Sequence, residues 1–290
     1  IKRRGISLKY ADKSFKKDRK FILEAAKLNG EILEYADKSF RKDREIVLTA
    51  VKTWGYALEC VHKSFKKDRE IVLTAIKSKS KMYGYGDCIK YADESLRKDR
   101  NMVLAAVKSH GYALEYVDEI FRKDREILLE TAKSQSYAIR FADEKFLKDK
   151  KFILEAVKLS GYVVEFADKK LRKDKEIAFA AVKQTGYAFE HLDKSLRKNR
   201  ELVLLAVKSV GSALEYADRK FRKDWEIVLA AVKDESSAII FADKTFRNDK
   251  EIALEVVKGW KQDHALNYVS YSLRSDPDIL KAHSKKYNSW

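Results

Sequence analysis

The 290-residue sequence predicts an all-α fold: an α-solenoid of about ten 25-residue helix-loop-helix repeats with a half repeat at each end. Three observations carry this. Pro occurs once and Gly ten times, while Ala, Leu, Glu, Lys and Arg abound, the composition of a helical protein. A Lys-Asp step recurs, its acid falling at Asp18, Asp43, Asp68, Asp99, Asp124, Asp149, Asp174, Asn199, Asp224, Asp249 and Asp276, with eight of ten intervals equal to 25. Self-similarity at such a period marks stacked supersecondary units rather than one globular core. Within each unit, finally, the apolar residues group at helical spacing.

Positions are counted from the recurring acid. Asp at position 1 suits an N-cap, because its carboxylate accepts hydrogen bonds from the free amides of a helix's first turn. Positions 4, 5, 6, 8 and 9 are apolar, as in Ile46, Val47, Leu48, Ala50 and Val51, and form one face of a short helix. Lys at position 10 and a frequent Gly at position 13 mark its end. A second helix of about ten residues follows, burying positions 15, 16, 18, 19 and 23, which in the fourth unit are Ala113, Leu114, Tyr116, Val117 and Phe121. Helices this short are marginal alone in water, so the units must stack. A single array over 1–290 is expected, interrupted by an insertion in loop 78–87 and a smaller one at 259–264, both between the two helices of a unit. Pro277 is allowed at the first helical position of the last unit, where the missing amide has no partner to lose.

The formal charge of +17 raises nucleic acid as a partner. Lys occupies position 10 throughout: Lys27, Lys52, Lys77, Lys108, Lys133, Lys158, Lys183, Lys208, Lys233 and Lys258 form a file able to track phosphates or other anions. A second file lies at the opposite edge, with pairs such as Arg41-Lys42 and Arg172-Lys173, then Arg or Lys just after the capping acid. Against this stand helix-dipole complementarity and acids four residues ahead of bases, as in Asp37/Arg41, Asp93/Arg97, Asp168/Arg172 and Asp218/Arg222, spacing that suits helical ion pairs. A solvated face, a phosphate track and attraction to an acidic protein or lipid surface are all consistent with the pattern.

Positions 11 and 12 vary without repetition, from Thr53-Trp54 to Ser109-His110 and Asp234-Glu235. Simple tolerance of change on a loop is one reading. The other is a ladder of contacts on a constant frame, using Trp54, Lys79, His110, Gln135, Gln184 and Trp260, with Met82, Tyr83 and Tyr85 of the long loop on the same edge.

No nucleophile with a neighbouring base stands out, and His62, His110, His191, His264 and His283 offer no zinc spacing; His191 replaces a core aromatic and reads as packed. The chain is therefore expected to be non-enzymatic, with no catalytic residues, metal, cofactor or small-molecule substrate. No apolar run approaches the length of a membrane span. Cys60 and Cys88 stand at apolar positions and read as reduced thiols, favouring a reducing, cytoplasmic compartment.

The stretches DREIVLTAVKTWGYALE (43–59) and YADESLRKDR (91–100) resemble the helical repeat family known as domain of unknown function 4116, over nearly the whole chain. That resemblance implies a repeat region of large bacterial or protist proteins, including candidate effectors of intracellular bacteria, and brings no established activity. The expected function is a monomeric scaffold that binds a protein partner through its interhelical loops or its concave face. The alternative is a basic nucleic-acid-binding solenoid, with one Lys per repeat on phosphates and the loop pairs facing bases.

Overall fold

The computed structural model describes residues 5–78, 87–259 and 264–284. Its contacts gather into two compact units, Ile1–Asp143 and Glu144–Trp290. Both are all-α solenoid stacks, and no strand occurs among the described residues.

Each repeat opens with an α-helix. The first unit holds Arg19–Leu28, Arg44–Thr53, Arg69–Ile76, Arg100–Ser109 and Arg125–Ser134. The second holds Lys150–Leu159, Lys175–Gln184, Arg200–Ser209, Trp225–Asp234, Lys250–Gly259 and Pro277–Ser284. The position-1 residue caps as expected: Asp124 Oδ1 accepts from the amides of Glu126 and Ile127 at 3.0 and 3.2 Å, and Asn199 Oδ1 from Leu202 at 3.0 Å.

The second half of each repeat departs from the expected continuous helix. In the fourth unit it is two 3-10 segments, Gly111–Glu115 and Glu119–Lys123, separated by extended backbone at Asp118 (φ −60°, ψ 143°). The cause lies at position 20. The Asp118 carboxylate accepts from the Ile120 amide at 3.1 Å, starting a new turn, while its own amide donates to the Arg97 carbonyl of the preceding repeat at 3.3 Å. The same main-chain bond joins Asp37 to Lys16, His62 to Arg41, Asp93 to Lys66 and Asp143 to Arg122 in the first unit. In the second it joins Asp168 to Leu147, Asp193 to Arg172, Asp218 to Arg197, Asp243 to Arg222 and Ser270 to Arg247. An amide withdrawn from the helix thus becomes a rung between repeats, which satisfies the requirement that buried backbone donors find partners.

The acids at position 20 are therefore caps, not helical ion-pair partners of the arginines four residues on. Arg41, Arg122 and Arg222 donate to main-chain carbonyls seven residues back, those of Glu34, Glu115 and Glu215. Arg97 Nη1 lies 3.5 Å from the Tyr116 carbonyl.

Within each unit, the α-helices that open the repeats pack side by side in one layer, and the 3-10 segments, with the one-turn α-helices Ile32–Tyr35, Glu94–Arg97 and Glu144–Leu147, form the second. The core runs between the layers. In the fourth unit Met102, Val103, Ala106, Val107, Ala113, Leu114, Val117 and Phe121 are buried. Two expected core positions are only half-buried: Leu104 at position 6 lies on the outer side of the helix layer, and Tyr116 at position 18 on the outer side of the 3-10 layer. The position-13 glycine also plays a different part from the expected helix stop. The helix ends one residue earlier, at an extended residue such as Thr185 (φ −155°). Gly161 is small because the next repeat presses on it: a Cβ there would lie 2.5 Å from the Ala181 carbonyl oxygen. Pro277 opens its helix as expected.

A charged ladder ties one helix start to the next. Arg19 binds Asp43 and Glu45 of the following repeat at 2.7 and 2.6 Å. Arg44 reaches Asp68 and Glu70, Arg69 reaches Asp99, and Arg100 reaches Asp124 and Glu126. In the second unit Lys150, Arg200 and Lys250 make the equivalent pairs to Asp174, Asp224 and Asp276. At Trp225 an indole Nε1 replaces the cation and donates to Asp249 at 2.9 Å.

Hydrogen bonds from Arg19, Arg44 and Arg69 hold the carboxyls of Asp43, Asp68 and Asp99 below the usual carboxylate range. For Asp124, Asp174 and Asp224 burial alone would raise the value, and the base and the capped amides together more than reverse it. A carboxyl depressed on folding contributes stability that is present above its unfolded pKa of about 3.9 and is lost as pH falls through the folded value. Thermal unfolding followed by circular dichroism is therefore expected to show stability holding down to about pH 4 and falling steeply below it. Arg100→Gln is expected to lower the melting temperature at neutral pH, with the gap to the native chain closing in acid; a gap constant with pH would refute the ladder's role.

Candidate functional site

Two surfaces carry the residues that the sequence pattern singles out: the loop edge at positions 11 and 12, and the outer side of the α-helix layer, where the position-10 lysines stand. Lys79, Met82, Tyr83, Tyr85 and Trp260, with most of both inserted loops, lie outside the described residues.

The loop edge proves to be structural. The Gly161 amide donates to Gln184 Oε1 at 2.7 Å, the Gly186 amide to Ser209 Oγ at 3.1 Å, and the Gly211 amide to Asp234 Oδ2 at 2.7 Å. Gly55 and Ser78 repeat the arrangement at 3.1 Å. Elsewhere the position-11 hydroxyl reverses role: Thr53, Ser109 and Ser134 donate to the carbonyls of Ala26, Ile76 and Val107 at 2.6–2.8 Å. Both versions latch a loop onto the repeat before it. The variation at this position therefore runs mostly over side chains that hydrogen-bond, with Leu28 and Leu159, both exposed, and Gly259 as departures. The signal was present in the polar alphabet Thr, Ser, Gln, Asp.

Position 12 is half-buried rather than displayed. Trp54 lies with its ring 6.2 Å from Tyr56, and His110 is 16% exposed, its Nδ1 3.4 Å from Asp87 Oδ1 and its ring 5.6 Å from Tyr112. Gln135 is half-buried at the end of its helix. Beside Trp54 the structure assembles a cluster that sequence reasoning missed: the Lys90 ammonium sits 5.4, 4.9 and 5.6 Å from the rings of Tyr56, Tyr91 and Tyr116. Burial, followed by the nearby Asp87 charge, pushes the Tyr56 phenol up to about 12. Two residues before Lys90, Cys88 is a buried free thiol raised by burial to about 12, and Cys60, in the repeat of Tyr56, is free and half-buried.

The position-10 lysines stand exposed on the helix layer in both units. Lys27 and Lys258 pair within their own helices, with Glu24 at 2.6 Å and Glu255 at 2.8 Å. Lys108 and Lys233 reach the next repeat, at Glu130 and Glu251, over 4.0 and 3.8 Å. Lys52, Lys158, Lys183 and Lys208 make no ion pair among the described residues. Next to these lysines runs the half-buried apolar stripe at position 6. It comprises Leu23, Leu48, Leu73, Leu104 and Leu129 in the first unit, and Leu154, Phe179, Leu204 and Leu254 in the second, with Leu229 buried among them. A shallow cleft of about 530 Å³ on this face is lined by Leu48, Thr49, Lys52, Glu70, Thr74 and Lys77.

The second cation file has a different fate. Bases at position 2 are taken up by the ladder, apart from Lys175, whose following repeat starts on Asn199 instead of an acid, and Lys67, Lys98, Lys123, Lys173 and Lys223 face the position-20 acid of the next repeat at 3.5–3.9 Å. No group of three or more metal-ligating side chains forms, and no helix is long and apolar enough to cross a membrane, among the described residues.

If the loop latch is structural, Asp234→Ala leaves the part-buried Gly211 amide without its acceptor, at a cost of about 1–2 kcal/mol. Urea unfolding and faster hydrogen exchange at Gly211 read this out; Leu28→Ala, at a side chain 53% exposed, is expected to change neither.

No curated protein and no solved structure matches the chain. The sequence profile described as Domain of unknown function (DUF4116) matches residues 1–41, 43–97, 84–122, 99–148, 124–171, 149–197, 199–247 and 234–274. These stretches together cover most of the sequence, so the chain belongs to the DUF4116 family.

Proposed function

We propose that this chain is a non-enzymatic helical-repeat scaffold that binds a protein partner on the outer face of its α-helix layer. The observation that supports this reading is the juxtaposition, repeat after repeat, of a half-buried apolar stripe with exposed lysines, of which Lys52, Lys183 and Lys208 make no ion pair among the described residues. In the second unit Phe179, Leu204 and Leu205 lie beside Lys183 and Lys208. A partner segment with apolar residues along one line and acidic residues beside it complements that face: burial supplies affinity, and the charges supply orientation and rate. The loop edge is the weaker candidate, since its polar side chains are occupied by inter-repeat hydrogen bonds.

The nucleic-acid reading draws on the same lysines. Its difficulty is that a phosphate backbone leaves the adjacent leucines uncovered, and that most other cations along the repeats face acids.

Peptide-display selection against the purified chain tests the proposal. Enriched peptides are expected to pair apolar residues with Asp or Glu, and Lys183→Glu with Lys208→Glu to weaken them about tenfold or more, on the order of the coupling of close charge pairs. Equal binding by that double variant, or random oligonucleotides retained in preference to peptides with a steep salt dependence, would overturn it.

A further inference from the structure

In the second unit one arginine breaks the rule its counterparts obey. The position-24 cation of a repeat is held in two ways. One is by main-chain carbonyls, as when Arg197 Nη2 donates to Glu190 at 2.7 Å. The other is by the position-18 ring of the following repeat, as where Arg197 lies 5.7 Å from Tyr216, Arg247 5.5 Å from Tyr268 and Lys66 6.0 Å from Tyr91. Arg172 has neither. Its repeat is followed by one that carries His191 in place of the aromatic, and its guanidinium, half-buried, makes no hydrogen bond, ion pair or ring contact among the described residues.

The exchange of ring for imidazole coincides with a cleft of about 470 Å³ lined by Lys169, Arg172, Lys173, Glu190, His191, Leu192, Asp193, Lys194 and Arg197. Five bases face two acids there. Asp193 is engaged, accepting from the Ser195 amide and hydroxyl at 2.9 and 2.7 Å, and Glu190 Oε1 lies 3.2 Å from His191 Nε2. His191 Nε2 and Glu165 Oε2, 3.7 Å apart, lack hydrogen-bond partners. Arg172 acts on the Asp193 carboxylate through space only, so its fork of donors has no hydrogen-bonded partner among the described residues.

We infer that the Arg172 cleft is an anion site for a phosphate monoester, the dianionic head of a small phosphorylated compound. Arg172 supplies a planar fork for two phosphate oxygens, and Lys169, Lys173 and Lys194 supply charge around it. The volume lies at the lower end of small-ligand sites, which suits a compact dianion better than a row of diester phosphates. The site is separate from the proposed docking face and stands or falls without it.

The test is an NMR titration of the labelled chain with inorganic phosphate near pH 7.5, with chloride held to constant ionic strength. The expected result is saturable shifts of the Arg172 side chain and of the amides of Leu192 to Lys194. Arg172→Gln is expected to weaken binding about tenfold or more at a nearly unchanged melting temperature, because it removes a bidentate charged contact and no internal hydrogen bond. His191→Tyr, which restores the ring that covers Arg197, is expected to weaken binding as well, whereas Lys208→Gln leaves it intact. Shifts that fail to saturate and spread over lysines generally would overturn the assignment. So would equal binding by Arg172→Gln and His191→Tyr, or tighter binding of a single-stranded oligonucleotide at equal phosphate concentration.

Discussion

The capping acid at position 1 belongs to two repeats at once, and the stacking of this protein depends on that sharing. Asp124 caps its own helix through the amides of Glu126 and Ile127 and is gripped from behind by Arg100 of the repeat before. Where one helix starts is thereby coupled to where the next one starts. The pairs are exposed, and exposed pairs contribute little stability one by one. Their consequence is register. The bulk of the energy lies in residues such as Val103, Val107 and Leu114, which are fully buried and contribute roughly 1.5–3 kcal/mol each on removal from water. A ten-residue helix cannot collect that gain alone; a stack in fixed register can.

The second coupling is made of backbone. By leaving the helix at position 20, each repeat frees one amide and gives it to the carbonyl at position 24 of the repeat before. This rung, the acid ladder and the position-11 latch sit at three different places along the repeat. Together they fix the placement of one repeat on the next more tightly than burial could, because apolar contact is indifferent to small slides.

The period, the helix start and the two buried faces were legible in the sequence because each depends on residues within one turn of one another. The break in the second half was less so. Apolar spacing at positions 15, 16, 19 and 23 is met by two 3-10 turns as well as by an α-helix, and periodicity cannot separate them over so few residues. Yet Asp37-Lys38-Ser39 and Asp193-Lys194-Ser195 are capping sequences, in which the Ser amide and hydroxyl both bind the acid. They could have argued for a new start rather than a continuing surface. The role of position 11 was hidden for another reason: Gln184 meets Gly161 across 23 residues, a contact visible only once the stacking is known.

The same logic governs charge. A formal +17 describes the chain but not its field, since most position-2 bases are spent between helix starts and Lys67, Lys98, Lys123, Lys173 and Lys223 face the next repeat's caps. What remains available is set by local departures from the rule. Along the helix layer, Lys27 and Lys258 find Glu24 and Glu255 on their own helices and Lys108 and Lys233 reach acids of the next repeat, while Lys52, Lys183 and Lys208, which follow Thr49, Ala180 and Leu205, make no ion pair among the described residues. At the opposite edge a single exchange of ring for imidazole at His191 uncovers Arg172. A repeat frame whose couplings run through backbone and capping acids can accept such exchanges without losing register. That is why position-by-position departures, rather than the repeated pattern, are where recognition in this protein has to be sought.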